Sequence, residues 1–248
     1  MQESDHKFFY LGILAILFLI ILGCFAEKTN ILDTSLDSHS EIVFVGKLQK
    51  LSAEDLERVR KEALKGINLV SAIFSLDKPS KMRIRFVDYG ISTYEVGIVV
   101  LPIYQIRRNE AAIVHEVTHV LAKHADNRFF SEGLAVYFQQ RFGQDKCFPN
   151  FGEPLHEHLR YFSKFIMPID KIAKNNDIFR PQADHETRRI AYVQAGSFIQ
   201  WLVEMHGEEK LKELHDSIWL DYDRIYGKSL KELGKEWKAF VFKKSSTK

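Results

Sequence analysis

Residues 112–137, AIVHEVTHVLAKHADNRFFSEGLAVY, decide how this chain is read, and the pentad His115-Glu116-Val117-Thr118-His119 stands near their start. On a helix, His115 and His119 are four residues apart and project from one face, where two imidazoles converge on a single zinc ion. Glu116 sits about 100° around the helix from His115. That places it within reach of a metal-bound water but poorly for ligation, so it reads as a general base. Ala111, Ala112, Ile113, Val114, Val117, Val120 and Leu121 make the helix strongly apolar, with Asn109 as its expected N-cap. Two buried histidines without partners would be costly, and a shared metal removes that cost.

A catalytic zinc takes three protein ligands and keeps one open position. The metzincin pattern would put its third histidine at position 125 and a glycine at position 122, but both positions hold alanine, so that pattern fails. His124, near the expected helix end, reads as a solvated C-terminal cation. Glu132 opens a second apolar helix after a short polar turn, 132 − 119 = 13 residues beyond the second histidine. A helix hairpin of that size returns Glu132 to the pair. The alternative is an acid that merely favours the first turn of a helix.

H-E-x-x-H followed by a helix carrying E-G-L-A-x-Y resembles the gluzincin class of zinc metallopeptidases, the group that includes thermolysin and the membrane-alanyl-type aminopeptidases. The resemblance spans roughly residues 41–241. It implies an α+β class and a compact zincin fold: a small mixed sheet with an edge strand, two zinc-binding helices and a helical C-terminal part. It also implies that His115, His119 and Glu132 bind one Zn2+ and that Glu116 is the catalytic base. The stretch Tyr192-Val193-Gln194-Ala195-Gly196-Ser197-Phe198 is similar to the tyrosine-bearing helix of aminopeptidase-like gluzincins. That similarity implies a second catalytic group, the Tyr192 hydroxyl, donating to the oxyanion; the alternative is a core tyrosine. His185, seven residues earlier, is a reserve candidate for the same role, and Gly196 is expected to let its helix pack closely on the zinc helices. Nothing resembles the amine-gripping glycine-rich motif of large aminopeptidases, so endopeptidase, processing and aminopeptidase activity all stay open.

Upstream, residues 8–26 (FFYLGILAILFLIILGCFA) run about 19 residues without a charge, enough for a membrane-crossing helix or a secretory signal. Ile21-Leu22-Gly23-Cys24 resembles the lipobox of bacterial lipoproteins, which implies acylation of Cys24; an uncleaved signal anchor competes, because the basic n-region is thin. The expected organisation is therefore a signal or anchor at 1–26, a polar tether at 27–40, a catalytic domain at 41–243 and a basic tail at 244–248. Ile42-Val43-Phe44-Val45 reads as a first strand, and Ser52 caps a helix with Leu56, Val59, Ala63, Ile67, Val70 and Ile73 at helical spacing. MRIRFV at 82–87 alternates as a strand with one buried face. Gly90 and Gly97 bracket irregular chain, and Ile98 to Ile103 read as a strand whose Pro102 suggests either an edge position or the strand's end; an exposed edge would be able to pair with an extended peptide. Residues 188–205 and 229–242 are amphipathic helices, the latter with a Leu230, Leu233, Trp237, Phe240 stripe. His156 and His158, at i,i+2 spacing, point to different faces and do not share an ion.

Composition narrows the function classes. The chain has 35 Lys plus Arg against 33 Asp plus Glu. This near balance advertises no nucleic-acid partner. Two cysteines, one of them in the apolar segment, exclude a disulfide framework. The expectation is a membrane-associated zinc metallopeptidase on the exported side, acting on a peptide or protein substrate. The alternative is a catalytically silent, zinc-stabilised peptide-binding or scaffold module. An intramembrane protease is disfavoured because Arg107, Arg108, Glu110 and Lys123 flank the pentad too closely for a spanning helix.

Overall fold

The computed structural model describes residues 40–243 apart from Ala125. The expected apolar segment 8–26 with Cys24, the tether up to residue 39 and the tail 244–248 lie outside the described residues. The class is α+β with one small mixed sheet, as expected. Strand β1 (Glu41–Gly46) leads through a 3-10 turn to helix α1 (Ala53–Phe74), followed by β2 (Lys81–Val87), β3 (Thr93–Glu95) and β4 (Ile98–Pro102). The strand order is β1-β2-β4-β3, with β1, β2 and β4 parallel and β3 antiparallel to β4.

Local chemistry accounts for these elements. Ser52 closes a capping box: its hydroxyl accepts from the Asp55 N–H at 3.0 Å, and the Asp55 carboxylate accepts from the Ser52 N–H at 3.2 Å. In β2 the alternation holds, with Met82, Ile84 and Phe86 buried while Lys81 and Arg83 face water. Val59, Ala63 and Ile67 of α1 cover that apolar face. Helix α2 (Ile103–Arg108) and helix α3 (Ile113–Leu121), which carries the pentad, complete this first core through Ile103, Ile106, Ile113 and Val117.

A second core is built from helices alone: α4 (Arg128–Phe142), α5 (Leu155–Tyr161), α6 (Ile169–Ile172), α7 (His185–His206), α8 (Glu208–Asp216), α9 (Tyr222–Tyr226) and α10 (Leu230–Val241). Val114 places α3 against this cluster while Ile113 and Val117 face the sheet, so the pentad helix is shared by both cores, as is α1, whose Val70 and Phe74 join the second. Among the described residues no helix is long and apolar enough to cross a membrane.

Several local expectations are corrected. β4 is an interior strand, flanked by β2 and β3, and the edge is β3, inside the stretch expected to be irregular. Pro102 signals the end of β4 and not an edge: its φ of −69° turns the chain directly into α2. Asn109 does not cap α3. It sits at φ 56° as the left-handed C-cap of α2, a conformation asparagine tolerates, and α3 begins four residues later. In α10 the buried stripe is Leu233, Trp237 and Val241, with Phe240 turned outward.

α4 and α7 form the closest helix pair around the pentad helix, and glycines on both make it possible. A Cβ at Gly133 would lie 2.9 Å from both the Ala195 carbonyl oxygen and Ile199 Cγ1, and a Cβ at Gly196 would run into Val136. The expected close packing at Gly196 is thus reciprocated from the Glu132 helix. The obstacle at Gly133 includes backbone and cannot rotate away. Gly133→Ala is therefore expected to lower stability by about 1–3 kcal/mol, the usual cost of overpacking, read as a shift of the urea midpoint.

Candidate metal centre

The nine-residue helix α3 has no N-cap side chain of its own. Backbone N–H groups at and just before its start, where a helix exposes unpaired donors, are met by side chains from elsewhere in the chain. Asp145 accepts from the Ala111 N–H at 3.1 Å, Ser92 Oγ from Ala112 at 3.3 Å, and Gln139 Oε1 from His115 at 3.1 Å. Asp145 is itself held by Arg58 at 2.5 Å, and Gln139 donates to the Asp145 carbonyl. Glu62 of α1 joins this buried layer by accepting from the Gln144 N–H at 3.0 Å.

In front of that layer three donor atoms converge. His119 Nε2 lies 3.1 Å from His115 Nε2 and 3.1 Å from Glu132 Oε2, and His115 Nε2 lies 3.2 Å from the same oxygen. All three side chains are buried, as is Glu116. The hairpin expected from the 13-residue spacing has closed; α4 begins at Arg128, earlier than expected, so Glu132 lies just past its first turn and does not open it. The His115, Glu116 and His119 donors also fall within 4.8 Å of one another. The His115–His119–Glu132 triangle is the tighter of the two groupings, and the Glu116 carboxyl lies beside it.

The surroundings fix orientation and charge. His119 Nδ1 is 3.0 Å from Ser131 Oγ; protonated there, it donates to the serine and keeps its Nε2 lone pair for the triangle. Tyr94 of the edge strand stacks on His119 with ring centroids 4.7 Å apart. Burial opposes ionisation of Glu132, but His119 and His115 outweigh it and hold the carboxyl well below the usual range. Arg128 Nη1, 3.8 Å from the other Glu132 oxygen, faces the same charge. Glu116 is pushed up to about 8, chiefly by burial, with His115 opposing and the Glu132 charge reinforcing the shift. A carboxyl so placed needs positive charge beside it to be ionised at neutral pH, and a metal between His115 and His119 would supply that.

The other expected residues are less uniformly placed. Tyr192 is within the site: its ring lies 6.3 Å from that of His115, while its hydroxyl donates to the Phe179 carbonyl at 3.2 Å. Burial and the charges of Glu132 and Glu116 hold that hydroxyl well above its usual pKa. His185 is exposed on the cleft rim, 5.9 Å from the Phe148 ring. His124, expected to be solvated, is half-buried. Its Nε2 lies 2.8 Å from the His215 carbonyl, and burial lowers its pKa, so the cation reading is overturned by packing against α8. His156 and His158 engage separate partners, Ser197 and Glu204 for one, Glu153 and Arg189 for the other. The site opens into a cleft of about 1240 Å³. Sequence reasoning missed Tyr94, Ser131, Gln139 and Arg128. Only Ser131 carried a local signal, as the neighbour of Glu132. No protein-family model matches the chain, and no curated protein matches it.

Burial raises the Glu62 carboxyl from its ordinary 4.5 to about 7, against the Gln144 N–H that pulls it down. Between these values the folded chain holds a proton that the unfolded chain has released. Stability from this group is thus complete below pH 4.5 and falls as pH rises toward 7. Urea midpoints measured for the metal-free protein across that range should decline, and Glu62→Gln should flatten the decline; an unchanged slope would show that Glu62 is not its source.

Proposed function

We propose that this chain is a zinc-dependent metallopeptidase of the gluzincin kind, tethered to a membrane on the exported side through residues 8–26 or a lipidated Cys24. The observation that carries the reading is the triangle of His115 Nε2, His119 Nε2 and Glu132 Oε2 at 3.1–3.2 Å, buried at the base of an open cleft beside a carboxyl. Ligands about 2.0–2.1 Å from one tetrahedral zinc lie about 3.3–3.4 Å apart, so two imidazoles and one carboxylate at these separations fit that ion. The donor set, two nitrogens and one oxygen from three protein side chains, is that of a catalytic zinc with a position left open.

His115, His119 and Glu132 would hold the ion, with Ser131 setting the His119 tautomer. Bound zinc acts as a Lewis acid that polarises a peptide carbonyl and acidifies water. Glu116 takes the proton from the attacking water and returns it to the leaving amine, the two halves of general acid–base catalysis by one carboxylate. Tyr192, released from the Phe179 carbonyl, donates its hydroxyl to the carbonyl oxygen as negative charge develops there.

A second reading, a silent zinc-stabilised module that binds peptides, is favoured by one observation: the Tyr192 hydroxyl already spends its hydrogen on Phe179. Metal content and turnover separate the two. The full-length protein in detergent should contain about one zinc per chain and cleave unstructured peptides, and a chelator should stop it. Glu116→Gln should keep the zinc and lower kcat by about 10²–10⁴-fold. Zinc near one equivalent without cleavage would select the silent module, and absence of zinc would defeat both readings.

A further inference from the structure

Among the described residues lining the cleft, Arg188 is an arginine with no ion-pair partner, and unlike the exposed Lys123 it has a buried donor with nothing to bond. Arg188, in the first turn of α7, lines the cleft one helical turn before Tyr192. At i,i+4 spacing the two side chains share a face, with Cβ atoms about 5–6 Å apart. Its guanidinium lies over the Phe148 ring, 5.6 Å from the centroid, and Phe148 packs in turn against Tyr192 at 5.4 Å. The Arg188 Nε is buried without a hydrogen-bond partner, and among the described residues no carboxylate lies within 4.0 Å of its nitrogens.

The neighbouring cations make the contrast. Arg189, next in sequence, donates to the Pro149 carbonyl and to His158 and faces Glu186. Arg128, across the site, faces Glu132. Both have their charge answered within the protein. Arg188 keeps a planar fork of donors, stiffened by the aromatic ring beneath it, with an unpaired N–H at its shielded end. Leaving such a donor unpaired is unfavourable, and a carboxylate is the group whose two oxygens match the fork.

We propose that Arg188 is the specificity-determining residue of this cleft, recognising a carboxylate on the bound peptide close to the bond facing His115, His119 and Glu132. The inference rests on the reading of the cleft as a peptide site. The Tyr192 ring next to Arg188 lies 6.3 Å from His115, and an extended chain advances about 3.4 Å per residue. The carboxylate therefore belongs to a residue within a few positions of the reacting bond. It is either the free α-carboxylate of a short peptide or the side chain of Asp or Glu. Phe148, held against both Arg188 and Tyr192, couples this recognition to the position of the tyrosine.

Binding is measured on the full-length Glu116→Gln protein in detergent with zinc, by fluorescence anisotropy of labelled decapeptides in matched pairs. One pair differs only in a free or amidated C-terminus, and the other carries Glu or Gln at a single central position. The carboxylate member of at least one pair should bind ten-fold or more tightly than its neutral isostere, and the pair that discriminates identifies the source. Arg188→Ala should abolish that preference while leaving affinity for the neutral members within about two-fold. Arg188→Lys, which keeps the charge but loses the fork, should retain only part of it. Equal binding of both members in both pairs, or equal weakening of charged and neutral peptides by Arg188→Ala in a variant with unchanged melting temperature, would overturn the proposal. Peptide turnover by the unsubstituted chain is read separately. Its absence defeats the hydrolase reading, and the Arg188 result is still decided by the anisotropy pairs.

Discussion

Two imidazole nitrogens and a carboxylate oxygen brought to 3.1–3.2 Å of one another, out of water, are the constraint around which the rest of the described chain is arranged. Three lone-pair-bearing atoms in such proximity repel unless a proton or a cation stands among them. The surrounding structure supplies the restraint. Both apolar cores close on α3, Ser131 and Tyr94 fix the His119 ring, and glycines let α7 settle against the Glu132 helix without an intervening side chain. The electrostatic pattern follows from the same burial, which lifts Glu116 while the histidines keep Glu132 ionised.

What could be read from the sequence was whatever depends on neighbours along the chain. The Ser52 capping box, the alternation of Met82, Ile84 and Phe86, and the i,i+4 pair His115 and His119 are short-range signals, and each appears in the structure where its period placed it. β3 was illegible because its three residues are all exposed and carry no apolar face; pairing with β4 makes it a strand. Asn109 misled because the residue type that caps helix starts also tolerates the left-handed conformation that ends them. The partners of the site were hidden for a related reason. Tyr94 reaches His119 across 25 positions and Gln139 reaches His115 across 24, and no local pattern encodes either contact.

The edge formed by β3 lines the cleft. Its outer backbone groups are unpaired within the sheet, since only β4 lies beside it, and Tyr94 ties it to the histidines. Opposite it, the wall carrying Phe148, Arg188 and Tyr192 is aromatic and cationic. The cleft thus combines a strand edge with free main-chain hydrogen-bonding groups and a wall that carries aromatic rings and a positive charge.

The dependence of α3 on borrowed caps has a consequence for the order in which the chain becomes competent. A helix of nine residues is shorter than the roughly 12–15 at which isolated helices begin to persist in water. Gln139, which accepts from the His115 N–H in its first turn, and Asp145, which accepts from the Ala111 N–H just before it, are both made after it. While the chain is being synthesised, His115 and His119 therefore have no reason to share a face until α4 and the loop beyond it have been added. A chain cut short before Asp145 carries the full pentad yet lacks the side chains that hold the start of its helix, so the paired imidazoles belong to the longer chain and not to such a fragment.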